Sequence, residues 1–255
     1  MMYAEERQRE ILQRARANGR VDVVRLADDL EVTSETIRRD LTVLERAGVV
    51  RRVHGGAIPI ERLGFEPALA ARDSVQTAEK ERIAKAAVAE LPEGGGAIII
   101  DAGSTTGRLV EILPTDHEFT VVVNSPPLAT ALAMRPNLTV IILGGRVRGR
   151  TLATVDDLAL QPLSHLHVDV AFMATNGLSV ERGLTTPDPA EASVKRAMIR
   201  AARRTVLLAD HTKIGTDHFA RFGSVDDVDL LITDSGLDDV VTEELEQAGL
   251  RIVRS

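Results

Sequence analysis

Four short stretches carry side chains at spacings suited to chemistry. DAGSTTGRL (101–109) follows the apolar run AIIID and leads into a helical pattern. Gly103 and Gly107 permit close backbone approach, and Ser104, Thr105 and Thr106 supply hydroxyls. A helix starting there adds unpaired N–H groups and the positive end of its dipole, so the loop suits a phosphate. It lacks the Gly-Lys-Ser/Thr ending of a Walker loop and is not GxGxxG, so a capped turn explains it equally well. TTPDPAEASVKRAM (185–198) places Asp188, Pro189 and Glu191 as a D-x-x-E capping box with proline at the first helical position. Lys195 stands one turn beyond Glu191, as an i,i+4 partner would. ADHTKIG (209–215) gathers Asp210, His211 and Lys213 behind the apolar run TVLLA, where a lysine reaches a bound anion. TIRRDL (36–41) sets two arginines beside an aspartate near the start of an acidic chain.

The last stretch resolves on a helical wheel of ~100° per residue. Ile37, Leu41 and Leu44 share one side and must face a core. Glu35, Arg39, Thr42 and Arg46 project from the other side, with Arg38 on the flank and Asp40 turned away from Arg39 toward a pairing inside the domain. Arginine bonds guanine bidentately, while serine and threonine contact bases or phosphates. The candidate DNA-facing residues are Ser34, Glu35, Thr36, Arg38, Arg39, Thr42 and Arg46 on this helix. Arg51, Arg52 and His54 follow in VVRRVHGGAI (49–58). A charged helix face is ordinarily just solvated. Here a helix over 5–18 ending at Gly19, a short helix over 23–30 capped by Asp22, and a tight turn at Glu31-Val32 precede it, and two short β-type runs follow. Thr33 or Ser34 is the expected N-cap of the third helix and Gly48 its stop. That order is the outline of a winged helix-turn-helix.

Beyond residue 75 the pattern alternates. Apolar runs at 97–101, 120–125, 139–145, 168–177, 205–210 and 228–234 are separated by helical stretches, with RIVR at the end. Short Val/Ile-rich runs alternating with helices predict a mostly parallel sheet covered on both faces. The fold class is therefore α/β. The pattern predicts a winged helix over residues 1–58, a proline-containing linker over 59–75, and an α/β domain over 76–255. NSPP (124–127) and LGGR (143–146) also end strands, and ligands of open α/β sheets bind beyond such ends. Asn124, Ser125, Gly144, Gly145 and Arg146 thus join the candidate site.

The 255 residues carry a net charge of -7 with no cysteine, which suits a reducing cytoplasm and excludes disulfides and thiolate metal sites. MMYAEERQRE has no signal-peptide core, and no run approaches the ~18 apolar residues of a membrane span. One Tyr, five Phe and no Trp disfavour a single-strand reader, which stacks bases on rings. Charge is divided unevenly. Residues 1–60 hold 11 Arg against 10 acidic residues, whereas the remainder holds 20 basic against 28 acidic. Duplex DNA requires only a local positive face.

The N-terminal stretch ERQREILQRARANGRVDVVRLADDLEVTSETIRRDLTVLERAGVVRRVHGGA resembles the DNA-binding domain of the DeoR family of bacterial transcriptional regulators, with TIRRDL and RVHGGA as its most specific elements. The likeness extends through DAGSTT, NS, LGG, DVAF with ATNG, GLTTPDPAEASVKRAM and ADHTKIG, and so over nearly the whole chain. It implies a sensor domain similar in fold to ribose-5-phosphate isomerase, for phosphorylated sugars. The implied site has Ser104, Thr105 and Thr106 at the phosphate, with Asp101, Gly103, Asn124, Gly144, Gly145 and Asn176 along the pocket. Glu191, Lys195, Asp210 and Lys213 lie at the sugar end. Met173-Ala174 before Thr175-Asn176-Gly177 departs from the family pattern and predicts a slightly altered pocket. The resemblance implies no cofactor, metal or catalytic residue. It implies double-stranded operator DNA and a sugar phosphate (fructose 1-phosphate preferred) as partners, and a dimer or tetramer. The competing reading is a sugar-phosphate isomerase using Asp101, Glu191, Lys195 and Lys213; it leaves the first 60 residues without a use.

Overall fold

A computed structural model describes residues 4–46, 50–53, 55–59, 66 and 68–255, apart from the side chains of Glu5, Arg16 and Ala17. The chain divides into two compact units, residues 1–67 and 68–255.

In the first unit, α1 (Ala4–Asn18) buries Ile11 and Ala15 and ends at Gly19, whose φ of 72° suits glycine. The short strand β1 (Val21–Asp22) follows. Asp22 then caps α2 (Val23–Asp29), accepting from the N–H groups of Val24 at 2.9 Å and Arg25 at 3.1 Å. Helix α3 (Ser34–Arg46) is capped by the Thr33 hydroxyl, which accepts from the Thr36 N–H at 3.2 Å and settles the Thr33/Ser34 alternative. The expected stop at Gly48 lies outside the described residues.

The wing departs from expectation. Strands β2 (Val50–Val53) and β3 (Gly56–Pro59) pair antiparallel as foreseen, but β1 adds a third strand, in the order β1-β3-β2. Gly56 is what admits it, since a Cβ there would lie 1.9 Å from the Val21 carbonyl oxygen. Ile37, Leu41 and Leu44 join Ile11, Ala15, Val23, Leu26, Ala27 and Val50 in one core.

The second unit opens with α4 (Leu69–Asp73), inside the stretch 59–75, and α5 (Thr77–Ala87). Strand–helix units follow: β4 (Gly96–Ile100), α6 (Ser104–Glu111), β5 (Phe119–Val123), α7 (Pro126–Ala133) and β6 (Leu138–Ile142). Next are the hairpin β7 (Arg146–Val147) with β8 (Thr154–Val155), then α8 (Asp157–Leu163) and β9 (Val168–Ala174). Strands β10 (Gly177–Ser179) and β11 (Gly183–Thr186) lead to α9 (Pro189–Arg200), β12 (Ala202–Leu208) and β13 (Ala220–Gly223). The unit closes with β14 (Leu230–Thr233), α10 (Asp239–Gln247) and β15 (Ile252–Arg254).

Seven strands form one sheet in the order β15-β14-β12-β9-β4-β5-β6, every pair parallel. Successive residues alternate between two cores: Ile99, Val122, Ala171 and Leu207 lie on one face, and Ile98, Val121, Val170 and Val206 on the other. Burial on both faces is why these strands read as continuous apolar runs. The antiparallel sheet β10-β11-β13 and the β7–β8 hairpin went unseen in the sequence. Their strands span only two to four residues, too short for a period to register.

Candidate functional site

On the first unit, α3 presents Arg39 with its side chain 81% exposed and Arg38 at 53%. Glu35 lies 3.6 Å from Arg38 and 3.8 Å from Arg39, pairs loose enough to exchange for an external anion. The Thr42 hydroxyl donates to the Arg38 carbonyl at 2.8 Å and accepts from Arg52 at 3.3 Å, tying the wing to the helix. Arg46 and Arg51 are exposed, Ser34 is half-buried, and the Thr36 hydroxyl is engaged with that of Thr33 at 2.9 Å. His54 lies outside the described residues. Asp40 is buried, held by Arg7 at 2.6 Å and Gln8 at 2.9 Å, so it orients α1 against α3 and leaves the exposed face to the arginines.

On the second unit, the C-terminal strand ends collect the other candidates. Asp101, directly after β4, is fully buried. It pairs with the Lys195 ammonium, accepts from the Ala174 N–H at 3.1 Å and lies 3.4 Å from the Asn124 amide. Lys195 also donates to the Ala174 carbonyl at 3.0 Å and stands 5.4 Å from the Phe222 ring centre. This corrects the expected i,i+4 pairing with Glu191: Lys195 reaches across the sheet. Glu191 is buried and bonded to Arg148 and to Thr151, the latter at 3.3 Å. Only the Asp188 half of the expected capping reading describes its backbone, where Asp188 accepts from the Glu191 N–H at 2.9 Å.

The DAGSTT loop is tightly self-bonded. The Thr106 hydroxyl donates to the carbonyls of Asp101 at 2.7 Å and Gly103 at 3.1 Å, while Asn124 accepts from the Ala102 N–H at 2.7 Å. Thr105 is buried and Ser104 half-buried at the first turn of α6; Ser125 is buried at the N-cap of α7. Gly144 and Gly145 carry the chain into the hairpin, and a Cβ on Gly145 would lie 2.1 Å from the Val155 carbonyl oxygen. Arg146 departs from expectation, because it lies exposed against Asp156 at 2.8 Å. Arg148, two residues on, enters the cluster instead, 3.3 Å from Asp188 as well as bonded to Glu191. The Asn176 side chain accepts from Thr186 at 3.0 Å.

At the end of β12, Asp210 is buried and accepts from the Thr212 N–H at 3.1 Å, closing a helical turn over His211–Lys213 that leaves Lys213 half-buried. The His211 ring lies 2.7 Å from Asp234. Burial pushes the Asp234 carboxyl up, but N–H bonds from His211 and Gly236 and the His211 ring outweigh it, and the net displacement is downward. The residue missed in the sequence is Lys80, on the first turns of α5. It is buried, and burial, aided by Lys213 and Arg72 and opposed by Asp210 and Asp73, pushes its ammonium down to about 8. Among the described residues no three His, Asp or Glu side chains gather as a metal site, and no helix is long and apolar enough to cross a membrane.

A winged helix with an exposed arginine face, joined to a parallel α/β unit with charged groups at its strand ends, defines a DNA reader with a ligand-sensing partner. Residues 75–235 match the DeoR C terminal sensor domain and residues 7–62 the DeoR-like helix-turn-helix domain. The chain is 39% identical over 252 residues to the HTH-type transcriptional regulator GlpR of Haloferax volcanii, covering 99% of this chain and 98% of that one. It is 33% identical to the HTH-type transcriptional regulator GolR of Listeria innocua, covering 98% of each. The chain belongs to the DeoR family and is a DNA-binding transcriptional regulator rather than an enzyme. Ribose 5 phosphate isomerase A from Neisseria gonorrhoeae superposes with a TM-score of 0.40 at 18% identity, over 57% of this chain and 55% of that one.

Proposed function

We propose that the protein represses sugar-metabolism genes and leaves its operator when a phosphorylated sugar enters the strand-end cluster. The observation that carries this reading is the gathering of Asp101, Lys195, Glu191 and Arg148, all nearly inaccessible, at one sheet edge beside the first turn of α6. Buried ion pairs add little net stability against apolar replacements, so their concentration there points to a ligand with hydroxyls and negative charge. Ser104, Thr105 and the N–H groups of α6 take the phosphate, and Lys213 completes its charge. Glu191 and Asp101 accept from sugar hydroxyls. A putative aga operon transcriptional repressor of Escherichia coli O157:H7, 30% identical over 97% of this chain and 93% of that one, supports the repressor assignment.

Two copies place two α3 helices at matched half-sites, and effector binding favours an arrangement that no longer fits them. A thermal-shift screen against sugar phosphates including fructose 1-phosphate, followed by gel shift on DNA upstream of the protein's own gene, tests the reading. Binders raise the melting temperature by mass action and release the DNA. Lys213→Ala keeps the DNA complex and blunts release. A Lys213→Ala protein that is folded yet loses DNA would overturn the two-site scheme.

A further inference from the structure

The second unit carries two charged faces that do not neutralise each other. Arg196 and Arg200 lie one turn apart on the outward side of α9, and Arg221 of β13 stands beside them. All three line an open cavity of about 270 Å³, together with the buried Ile199 and Phe222. Arg196 donates to the Arg221 carbonyl at 2.6 Å and Arg221 to the Gly223 carbonyl at 3.1 Å. These bonds fix the guanidinium groups while using few of their N–H donors. Among the described residues no carboxylate pairs with any of the three. Asp227, which also lines the cavity, is taken up by the N–H and hydroxyl of Ser224 at 2.7 and 2.8 Å.

The outward side of α10 is acidic. Glu243 and Glu246 line a second open cavity, of about 450 Å³, and Glu244 is exposed beside them. Among the described residues no cation pairs with these three; Arg254, at the same cavity, is held by Asp239 at 2.5 Å. Val240, one turn before Glu243 and Glu244, is 73% exposed and gives this face an apolar point.

Both faces lie on one side of the sheet. Met198 and Ile199 of α9 and Leu245 of α10 bury in the same core, so the sides of these helices turned away from it meet solvent on that side. A soluble anion or an acidic peptide would match the arginines and leave the glutamates unmatched, and a cationic partner would do the reverse. A second copy matches both, because a two-fold axis sets the basic face of each copy against the acidic face of the other and makes every contact twice. Charge matching of this kind fixes register and suppresses wrong partners.

We infer that α9 with β13 and α10 form a self-complementary interface through which the sensor units of two copies pair. The inference rests on the two-copy arrangement proposed above and gives it a surface. Arg196 and Arg200 meet Glu243 and Glu246 of the partner subunit, and Val240 is covered where the two copies close.

Sedimentation of the full-length protein tests this. Arg196→Glu with Arg200→Glu, and separately Glu243→Arg with Glu246→Arg, set like charges against each other and are each expected to lower the assembled mass about twofold. Mixed in equal amounts, the two variants are expected to reassemble into a complex containing both. The reversed faces then match each other and so do the unreversed ones, a rescue that misfolded variants could not show. Variants that keep the wild-type mass, or that dissociate and fail to recombine, overturn the interface and leave the two-copy reading intact. Polyglutamate that binds the wild type but not the arginine variant, with the assembled mass the same in both, assigns the arginines to an acidic partner and also overturns it. A wild type that is monomeric both free and on operator DNA overturns the interface and the two-copy reading together.

Discussion

The two charged regions of this protein are built on opposite principles. On α3, Arg38 and Arg39 stand in solvent, sharing Glu35 across 3.6 and 3.8 Å. At the strand ends, Asp101 and Lys195 are almost wholly excluded from water. An exposed pair is worth roughly 0–1 kcal/mol and can be traded for a phosphate or a base at little cost. A buried pair is locked: losing one partner strands the other charge in a medium that cannot solvate it. The first arrangement suits a surface that must slide along and then grip a polyanion. The second suits a site that changes state only when a ligand supplies replacement charges and hydrogen bonds.

Three measurements test this contrast. The largest effect is expected from Asp101→Ala, which leaves Lys195 buried and unpaired and should lower the urea unfolding free energy of the sensor unit by about 3–5 kcal/mol. Asp101→Leu combined with Lys195→Met should recover much of that loss. A single-variant cost below about 1 kcal/mol would show the pair to be solvated, against the contrast. Next in size is Arg39→Ala, which should weaken operator binding by about 1–3 kcal/mol if the side chain reads a base. Its thermal stability should stay within about 0.5 kcal/mol of wild type, as for an exposed surface site. An equal loss on all DNA sequences would reassign Arg39 to the phosphates.

The smallest effect concerns pH. Lys80 titrates near 8 in the folded protein, against 10.5 for an ordinary lysine. Between those values the unfolded chain holds a proton that the folded one has released, so unfolding free energy rises with pH across that window. The full displacement corresponds to about 3 kcal/mol, which screening by solvent and neighbouring charges cuts to on the order of 1–2 kcal/mol, and the rise should vanish in Lys80→Met. A flat profile in the wild type would mean that Lys80 is better solvated than its burial indicates.

Much of the exposed arginine face of α3 was legible because its information is local. Ile37, Leu41 and Leu44 recur at helical spacing, and that period alone turns Arg39 outward. Asp40 was readable as an internal partner, but Arg7, which holds it from 33 positions away, was not. The sheet was legible as apolar runs, because burial on both faces removes any polar alternation. Its order was not. Lys195 sits four residues from Glu191 and would be paired with it by helix geometry alone, yet the adjacency of β4 and β9 brings it to Asp101, 94 positions away. Arg146 and Arg148 are two residues apart and chemically identical; the hairpin over 146–155 decides that the first faces Asp156 in solvent and the second reaches Glu191.

Two units, the winged-helix order, the outward arginines and the strand-end loops with their hydroxyls could all be read along the chain. All of these follow from periodicity, capping residues and apolar runs within about ten or so neighbouring positions. Which buried charges meet, the completion of the wing by Val21–Asp22 and the bonding of Lys80 to the carbonyls of Arg72 and Val75 emerge on folding alone. Those outcomes depend on strand order and backbone handedness. They are set by packing between segments far apart in the chain, which no local pattern encodes.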